Sequence, residues 1–247
     1  MTISSPAPGS NPTGLRGALR SVDDILRGHH TRETALAAGA VPIAYGTLLR
    51  LVFVLGAVYG ASLGAYGLFQ GGDQPWLQLL SASLKLPFVF LLTLVVTFPS
   101  LYVFGALFGS TLGRGATLRL LLVVSVVHAA VLASLGPVFV FFAASTKSYA
   151  FLLLLNVAFA LAGGLVSLTV LRGAQGVPAP AVDADGPRPG GRLPLLWCAM
   201  YGAVGAQMGW LLRPFLGAPG HAFAWLRERD SSFFETVIRT LGDLFRA

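Results

Sequence analysis

Five long apolar runs, none of which contains an aspartate or a glutamate, constrain this chain more than any other feature. Each run is close to the roughly 20 residues that a helix needs to cross the hydrocarbon core of a bilayer. Only 11% of the 247 residues are charged, whereas soluble domains carry about 25%. The sequence therefore predicts an all-α, polytopic transmembrane bundle of about five spans. The runs cover residues 47–68, 86–107, 118–134, 149–171 and 193–212.

The segments around these runs have their own signatures. The first residues are rich in Pro, Ser and Gly, which predicts disorder. Leu15, Leu19, Val22 and Leu26 then recur at helical spacing, which predicts a short amphipathic helix on the membrane surface. The expected organisation is a disordered start (1–14), an interfacial helix (15–40), a four-span region (41–171), a Pro/Gly-rich linker (172–192), a fifth span (193–213) and an interfacial tail (214–247).

The tail begins where Arg213 and Pro214 end the fifth run. Ser232 and Glu235 have capping-box spacing and precede an apolar stripe that is too short to span a bilayer. We expect this stripe to anchor the tail on the membrane surface or on the bundle, with Trp225 at headgroup level; a partner-binding or lid-like element is the alternative. The stripe consists of Phe234, Val237, Ile238, Leu241, Leu244 and Phe245.

Lysine and arginine placement predicts the orientation, because cytoplasmic loops carry the excess of basic residues. For a chain with its N-terminus inside, ten basic residues lie in inside segments and two in outside loops, although five arginines in the tail oppose this assignment. The expected location is a bacterial inner membrane, with the C-terminus on the far side. The ten are Arg16, Arg20, Arg27, Arg32, Arg50, Arg114, Arg119, Arg172, Arg188 and Arg192, and the two are Lys85 and Lys147.

The net charge of +7 does not indicate nucleic-acid binding, because the arginines fall at the ends of the apolar runs. The single cysteine, Cys198, excludes an intrachain disulfide framework. No phosphate loop, dinucleotide fingerprint or Cys/His cluster is present in the sequence. We therefore expect no cofactor and no metal, and the lipid bilayer as the main partner.

Glycines at four-residue spacing are the sharpest pattern inside the runs. Small residues four apart lie on one helix face and let two backbones approach closely. The pattern predicts close helix packing, either within one chain or between chains in a homo-oligomer or a hetero-complex. The glycines are Gly56, Gly60 and Gly64 in the first run, Gly105 and Gly109 at the end of the second, and Gly205 and Gly209 in the fifth.

Few polar side chains lie within the runs, and His128 is the ionisable one near mid-span. Ser125 lies one turn before it, while Asn156 and Gln207 lie in the fourth and fifth runs. A neutral histidine bonded within the bundle is the favoured interpretation, ahead of a ligand or proton site and of a catalytic Ser–His pair. The absence of carboxylates from the runs argues against an ion-coupled transporter and against an intramembrane aspartyl or metalloprotease.

The order of these segments resembles that of bacterial Yip1-type five-span membrane proteins over roughly residues 20–212. The resemblance lies in organisation, with a cytosolic amphipathic lead and five short Gly/Ala-rich spans, and it implies a role in membrane organisation. We expect a non-enzymatic scaffold or accessory subunit of a membrane complex. The alternatives are a small permease or channel subunit with a polar path near His128, Asn156 and Gln207, and an intramembrane enzyme.

Overall fold

The computed structural model describes residues 44–71, 74–108, 113–175, 193–217 and 223–226. Across these ranges the chain forms five α-helices and no strand, which confirms the all-α class for this part of the molecule. The expected disordered start, the helix at 15–40, most of the linker and the stripe from Phe234 to Phe245 lie outside the described residues. The helices are α1 (Tyr45–Phe69), α2 (Pro75–Leu107), α3 (Arg114–Ser145), α4 (Tyr149–Gln175) and α5 (Leu193–Leu211).

Four of the five helices are long and apolar enough to cross a membrane: α1, α2, α3 and the Tyr149–Arg172 part of α4. Helix α5 has 19 residues, or about 28 Å of helix, against a hydrocarbon core of roughly 30 Å. It is not among the four, because Gln207, its glycines and its aromatic residues lower its hydropathy. That α5 crosses the membrane remains a prediction.

Two helix boundaries differ from the sequence-based expectation, and both differences involve proline. Helix α2 begins at Pro75 instead of Leu86 and continues through Pro87 and Pro99. Helix α3 continues through Pro137 to Ser145, beyond the run 118–134 expected from the sequence. A proline removes one backbone hydrogen bond. Membrane helices can contain proline because neighbouring helices, Ser or Thr side chains and ordered waters bond to the freed backbone groups.

The helices pack as a closed ring in the order α1, α2, α5, α4, α3, with each helix contacting the next. Helix α3 is the most deeply placed, since residues 120–127 are buried without interruption. Tyr45 Oη donates a 2.9 Å hydrogen bond to Gly115 O between the starts of α1 and α3. At their other ends, Gln70 Nε2 donates to Ala143 O and Thr146 O at 3.3 Å each. These two helices are therefore parallel.

Helix α5 runs antiparallel to α2. Gly205 lies against Thr93 in the middle of α2, and Pro214, just after α5, lies against Lys85 nearer the start of α2. The end of α5 therefore shares one end of the bundle with the α1–α2 connection, and Tyr45 lies at the opposite end. The start of α1 and the end of α5 therefore lie at opposite ends of the bundle.

Candidate functional site

The glycines of α1 lie against α2 within the same chain. A Cβ atom added to Gly64 would lie 2.5 Å from Leu79 Cα, and one added to Gly60 would lie 2.8 Å from Ser83 Cα. Gly56 has the same relation to α2, at slightly longer distances. Because the nearest atoms belong to the backbone of α2, no larger side chain fits without moving a helix. We call these three residues the glycine face of α1.

The other predicted glycines behave differently. Gly105 is buried in α2, and Gly109 lies outside the described residues. A Cβ added to Gly205 would make ordinary contact with Thr93 Cγ2 at 3.6 Å, and one added to Gly209 would meet no described atom within 4 Å. Within the described chain, the glycines of α5 therefore do not form a second tight interface.

Helix α5 instead presents small residues on its outer side. A Cβ added to Gly202 would meet no described atom within 4 Å. Ala199, Gly202 and Ala203 are all exposed, and Ala206 is half-buried. These residues follow the four-residue spacing that permits close helix approach. We call them the small-residue face of α5; the described chain leaves it unoccupied.

Ser125 belongs to a hydrogen-bonded group that joins three helices. Its Oγ donates to Leu121 O at 2.9 Å and shares a 3.1 Å hydrogen bond with Tyr201 Oη of α5. Tyr201 Oη also donates to Phe90 O of α2 at 3.2 Å. The group satisfies a serine and a tyrosine in the bundle interior and connects α2, α3 and α5.

Asn156 is paired elsewhere, between α1 and α4. Tyr59 Oη donates a 2.8 Å hydrogen bond to Asn156 Oδ1. Tyr59 is buried, and its ring packs edge-on against Phe139 with centroids 6.4 Å apart. The phenol donates to the amide oxygen of Asn156, and this hydrogen bond ties α1 to α4.

His128 packs by contact alone within the described residues, where no hydrogen bond to it forms. Its ring lies edge-on to Phe90, with centroids 5.6 Å apart. A Cβ added to Gly163 of α4 would lie 2.8 Å from His128 Cδ2, so that glycine makes room for the imidazole. The Ser125 hydroxyl bonds to Tyr201 and not to His128, so a nucleophile–base pair is not formed. Gln207 is half-buried on α5.

A buried lysine is the functional candidate that sequence reasoning missed. Lys85 is only 6% exposed. Its ammonium donates to Pro214 O at 3.4 Å and to Trp225 O, and it lies 5.8 Å from the Trp225 ring centroid. Gln78 Nε2, two turns earlier, donates to Pro214 O at 3.3 Å and to Phe215 O at 2.9 Å. Two side chains of α2 thus hold three backbone carbonyls of the segment after α5.

This segment, residues 213–217 and 223–226, is called the strap. Its backbone is not helical, yet Pro214 and Leu216 are buried against the bundle. Trp225, which the sequence places at headgroup level, is 50% exposed and contacts Lys85. Buried backbone carbonyls need hydrogen-bond partners, and Lys85 and Gln78 supply them to the strap.

Gln78 and Lys85 belong to a longer polar stripe on α2. Its polar members are all buried and recur every three or four residues, except that Val89 occupies the position between Lys85 and Thr93. The stripe extends over about 28 Å of helix. The Ser81 and Thr93 hydroxyls have no hydrogen-bond partner in the described part of the chain. The stripe consists of Gln78, Ser81, Lys85, Thr93 and Thr97.

Charge in the described part of the chain has one sign. None of its residues is an aspartate or a glutamate, and it holds no group of three His, Cys, Asp or Glu residues that could bind a metal. At the end of α5, Arg213 stacks on Trp210, with the guanidinium 3.9 Å from the ring centroid.

Four long apolar helices packed around a largely apolar interior indicate a multi-pass helical membrane protein. Comparison with known proteins does not narrow this class, because no family model, curated protein or solved structure matches the chain. The resemblance to Yip1-type proteins remains a hypothesis that rests on segment order.

Proposed function

We propose that this chain is a non-enzymatic scaffold or accessory subunit of a membrane complex. The observation that carries the proposal is the pairing of Ser125 and Asn156, two of the polar side chains that the sequence offered as a bundle site. Ser125 bonds to Tyr201, and Asn156 bonds to Tyr59. A permease needs polar groups that can turn toward a solute, whereas paired groups fix helix positions. His128, packed between Phe90 and Gly163, supports the same conclusion.

The pairing also weakens the predicted permease path near His128, Asn156 and Gln207. Asn156 is bonded to α1, and His128 contacts α2 and α4. Among the described residues, no hydrogen bond joins His128 to Asn156. The hydroxyl of Ser125 is likewise bonded to Leu121 and Tyr201, which supports a non-enzymatic protein.

A scaffold needs a surface for its partner, and the small-residue face of α5 is the one we propose. The glycine face of α1 is filled by α2, so it has no room for another helix. Helix α5 exposes Gly202 between Ala199 and Ala203, and no described residue fills the space beside Gly202. Small-residue faces pack well against identical faces, and we therefore assign the second helix to another copy of this chain across a two-fold axis.

Association between tagged and untagged copies tests this assignment. Both copies are produced in the same membranes, and the tagged copy is purified in mild detergent. Gly202→Leu should reduce recovery of the untagged copy at least about tenfold, because losing close packing worth about 1.4 kcal/mol changes an equilibrium by that factor. Gly164→Leu is the matched control, since a Cβ at Gly164 of α4 would also meet no described atom within 4 Å.

Equal recovery with wild type and with Gly202→Leu would contradict the α5 assignment. If untagged copies are not recovered while the purified particle exceeds the mass of one chain, the partner is a different protein and the homomeric part is wrong. Reconstitution gives a second check: solute flux above that of protein-free vesicles would contradict the scaffold and favour the permease. The bacterial inner membrane and the cytoplasmic N-terminus stay part of the proposal, supported by the basic-residue bias.

A further inference from the structure

The polar stripe of α2 lacks the partners that its donors need. Ser81 and Thr93 are buried, and their hydroxyls bond to nothing in the described chain. Lys85 lies between them on the same helix face. Buried polar groups without partners are rare in native proteins and call for a ligand, a solvent path or an ion. An ionisable side chain within a membrane helix is likewise a functional site by default.

The strap covers the stripe at the end nearer the start of α2. Lys85 donates to Pro214 O and Trp225 O, and Gln78 donates to Pro214 O and Phe215 O. Leu216 is buried beside them. All of the strap's hydrogen-bond acceptors in these contacts are backbone carbonyls.

We propose that the stripe is a polar groove for small anionic solutes and that the strap closes it, with Lys85 as the residue that holds the strap shut. The anionic class follows from the groove's chemistry. Its hydroxyls can donate hydrogen bonds, and Lys85 is cationic. While the strap is in place, its carbonyls occupy two donors of the Lys85 ammonium. Releasing them exposes a cation and the Ser81 hydroxyl to the aqueous side. This inference is independent of whether the chain associates.

Thiol labelling of Ser81→Cys tests the closure. The full chain carries Cys198→Ser, which removes the single native thiol, and is placed in lipid nanodiscs so that both faces are accessible. The probe is a membrane-impermeant methanethiosulfonate carrying a sulfonate group. Lys85→Met should speed labelling at least about tenfold, the opening expected from loss of one charge-assisted hydrogen bond.

The second lysine provides the matched control. Lys147 lies exposed in the α3–α4 connection, where its backbone carbonyl accepts from Tyr66 Oη at 3.4 Å. Lys147→Met should leave labelling unchanged, and Lys85→Arg, which keeps charge and donors, should label close to the wild-type rate. Ala129→Cys in the α3 core, where Ala129 is buried, should stay unlabelled in the Lys85→Met background if the bundle remains folded.

If Lys85→Met does not fold, Gln78→Leu tests the closure instead. It removes two strap contacts and keeps the ammonium, so Ser81→Cys should label faster than in wild type. In that background the sulfonate reagent should outpace its trimethylammonium counterpart, because Lys85 attracts anions. Equal labelling of Ser81→Cys in wild type, Lys85→Met and Gln78→Leu would overturn the closure. Equal rates for the two reagents in Gln78→Leu would overturn the anionic class.

Discussion

The glycine face of α1 and the small-residue face of α5 share one sequence pattern but have different surroundings. Gly60 and Gly64 are so close to α2 that a single added carbon would meet its backbone. Gly202, on α5, has no described atom within 4 Å of the same added carbon. Four-residue spacing of small residues thus indicates that a helix can be approached closely. It does not indicate what approaches it.

Small residues at this spacing therefore have two roles, packing within the chain and a surface for another helix, which the sequence alone does not distinguish. In α1 the small residues build the fold, because α2 follows α1 directly and returns antiparallel beside it. In α5 they remain on the surface after the chain has formed all of its described contacts. A surface of that kind in a membrane protein is available to lipid or to another helix, and small residues favour the helix.

The largest expected effect is on the filled face. Gly60→Leu places a side chain where the backbone of Ala82 and Ser83 already lies, so α1 and α2 must separate. Over-packing by single methylenes costs about 1–3 kcal/mol, and a leucine should exceed that range. Thermal unfolding in nanodiscs should show a strongly lowered midpoint or no folded protein. The same substitution at Gly202 should leave the midpoint nearly unchanged; a similar loss at both sites would break the comparison.

A smaller effect is expected on the inner side of α5. Tyr201→Phe removes the hydrogen bonds to Ser125 and Phe90 O and keeps the ring. Hydrogen bonds between membrane helices average about 0.6 kcal/mol and reach about 1.7, so we expect a loss of about 1 kcal/mol in the free energy of unfolding. Tyr102→Phe is the matched control, since Tyr102 stacks on Phe98 through its ring. Equal losses in the two variants would mean that the Tyr201 group contributes nothing specific.

The smallest effect is expected at His128. His128→Leu removes no hydrogen bond formed within the described residues and replaces one ring contact with Phe90, so the loss should stay below about 1 kcal/mol. Denaturant unfolding should place it between wild type and Tyr201→Phe. A much larger loss, or a stable variant that no longer associates, would assign His128 a role that the packing does not explain.

Much of the fold could be predicted from the sequence because lipid leaves few alternatives to helices. The apolar runs located five helices, and the spacing of Gly56, Gly60 and Gly64 indicated a tight interface. The start of α2 could not be located in this way. The sequence indicates that Gln78, Ser81 and Lys85 form a connection before the span. In the fold they are helical and buried, and the strap contacts Gln78 and Lys85.

The candidate site was the harder part to predict, because its members are distant in sequence. Ser125 and Asn156 were recognised as polar residues in spans, but their partners are Tyr201 and Tyr59. A tyrosine in an apolar run cannot be assigned a hydrogen bond until the fold shows which acceptor lies opposite its hydroxyl. The three- and four-residue spacing of Gln78, Ser81 and Lys85 was the available signal for the stripe, and it becomes informative once those residues are known to be helical.

The oligomeric state of Gly60→Ala and Gly202→Leu, measured side by side by native mass spectrometry from nanodiscs of one lipid composition, tests the central claim most directly. Alanine at Gly60 adds only the carbon that meets α2, so it should lower the melting midpoint while the folded protein stays associated. Gly202→Leu should keep the wild-type midpoint and release single chains. If folded Gly60→Ala is released as single chains while Gly202→Leu stays associated, the glycine face of α1 is the interface between chains and the account is contradicted.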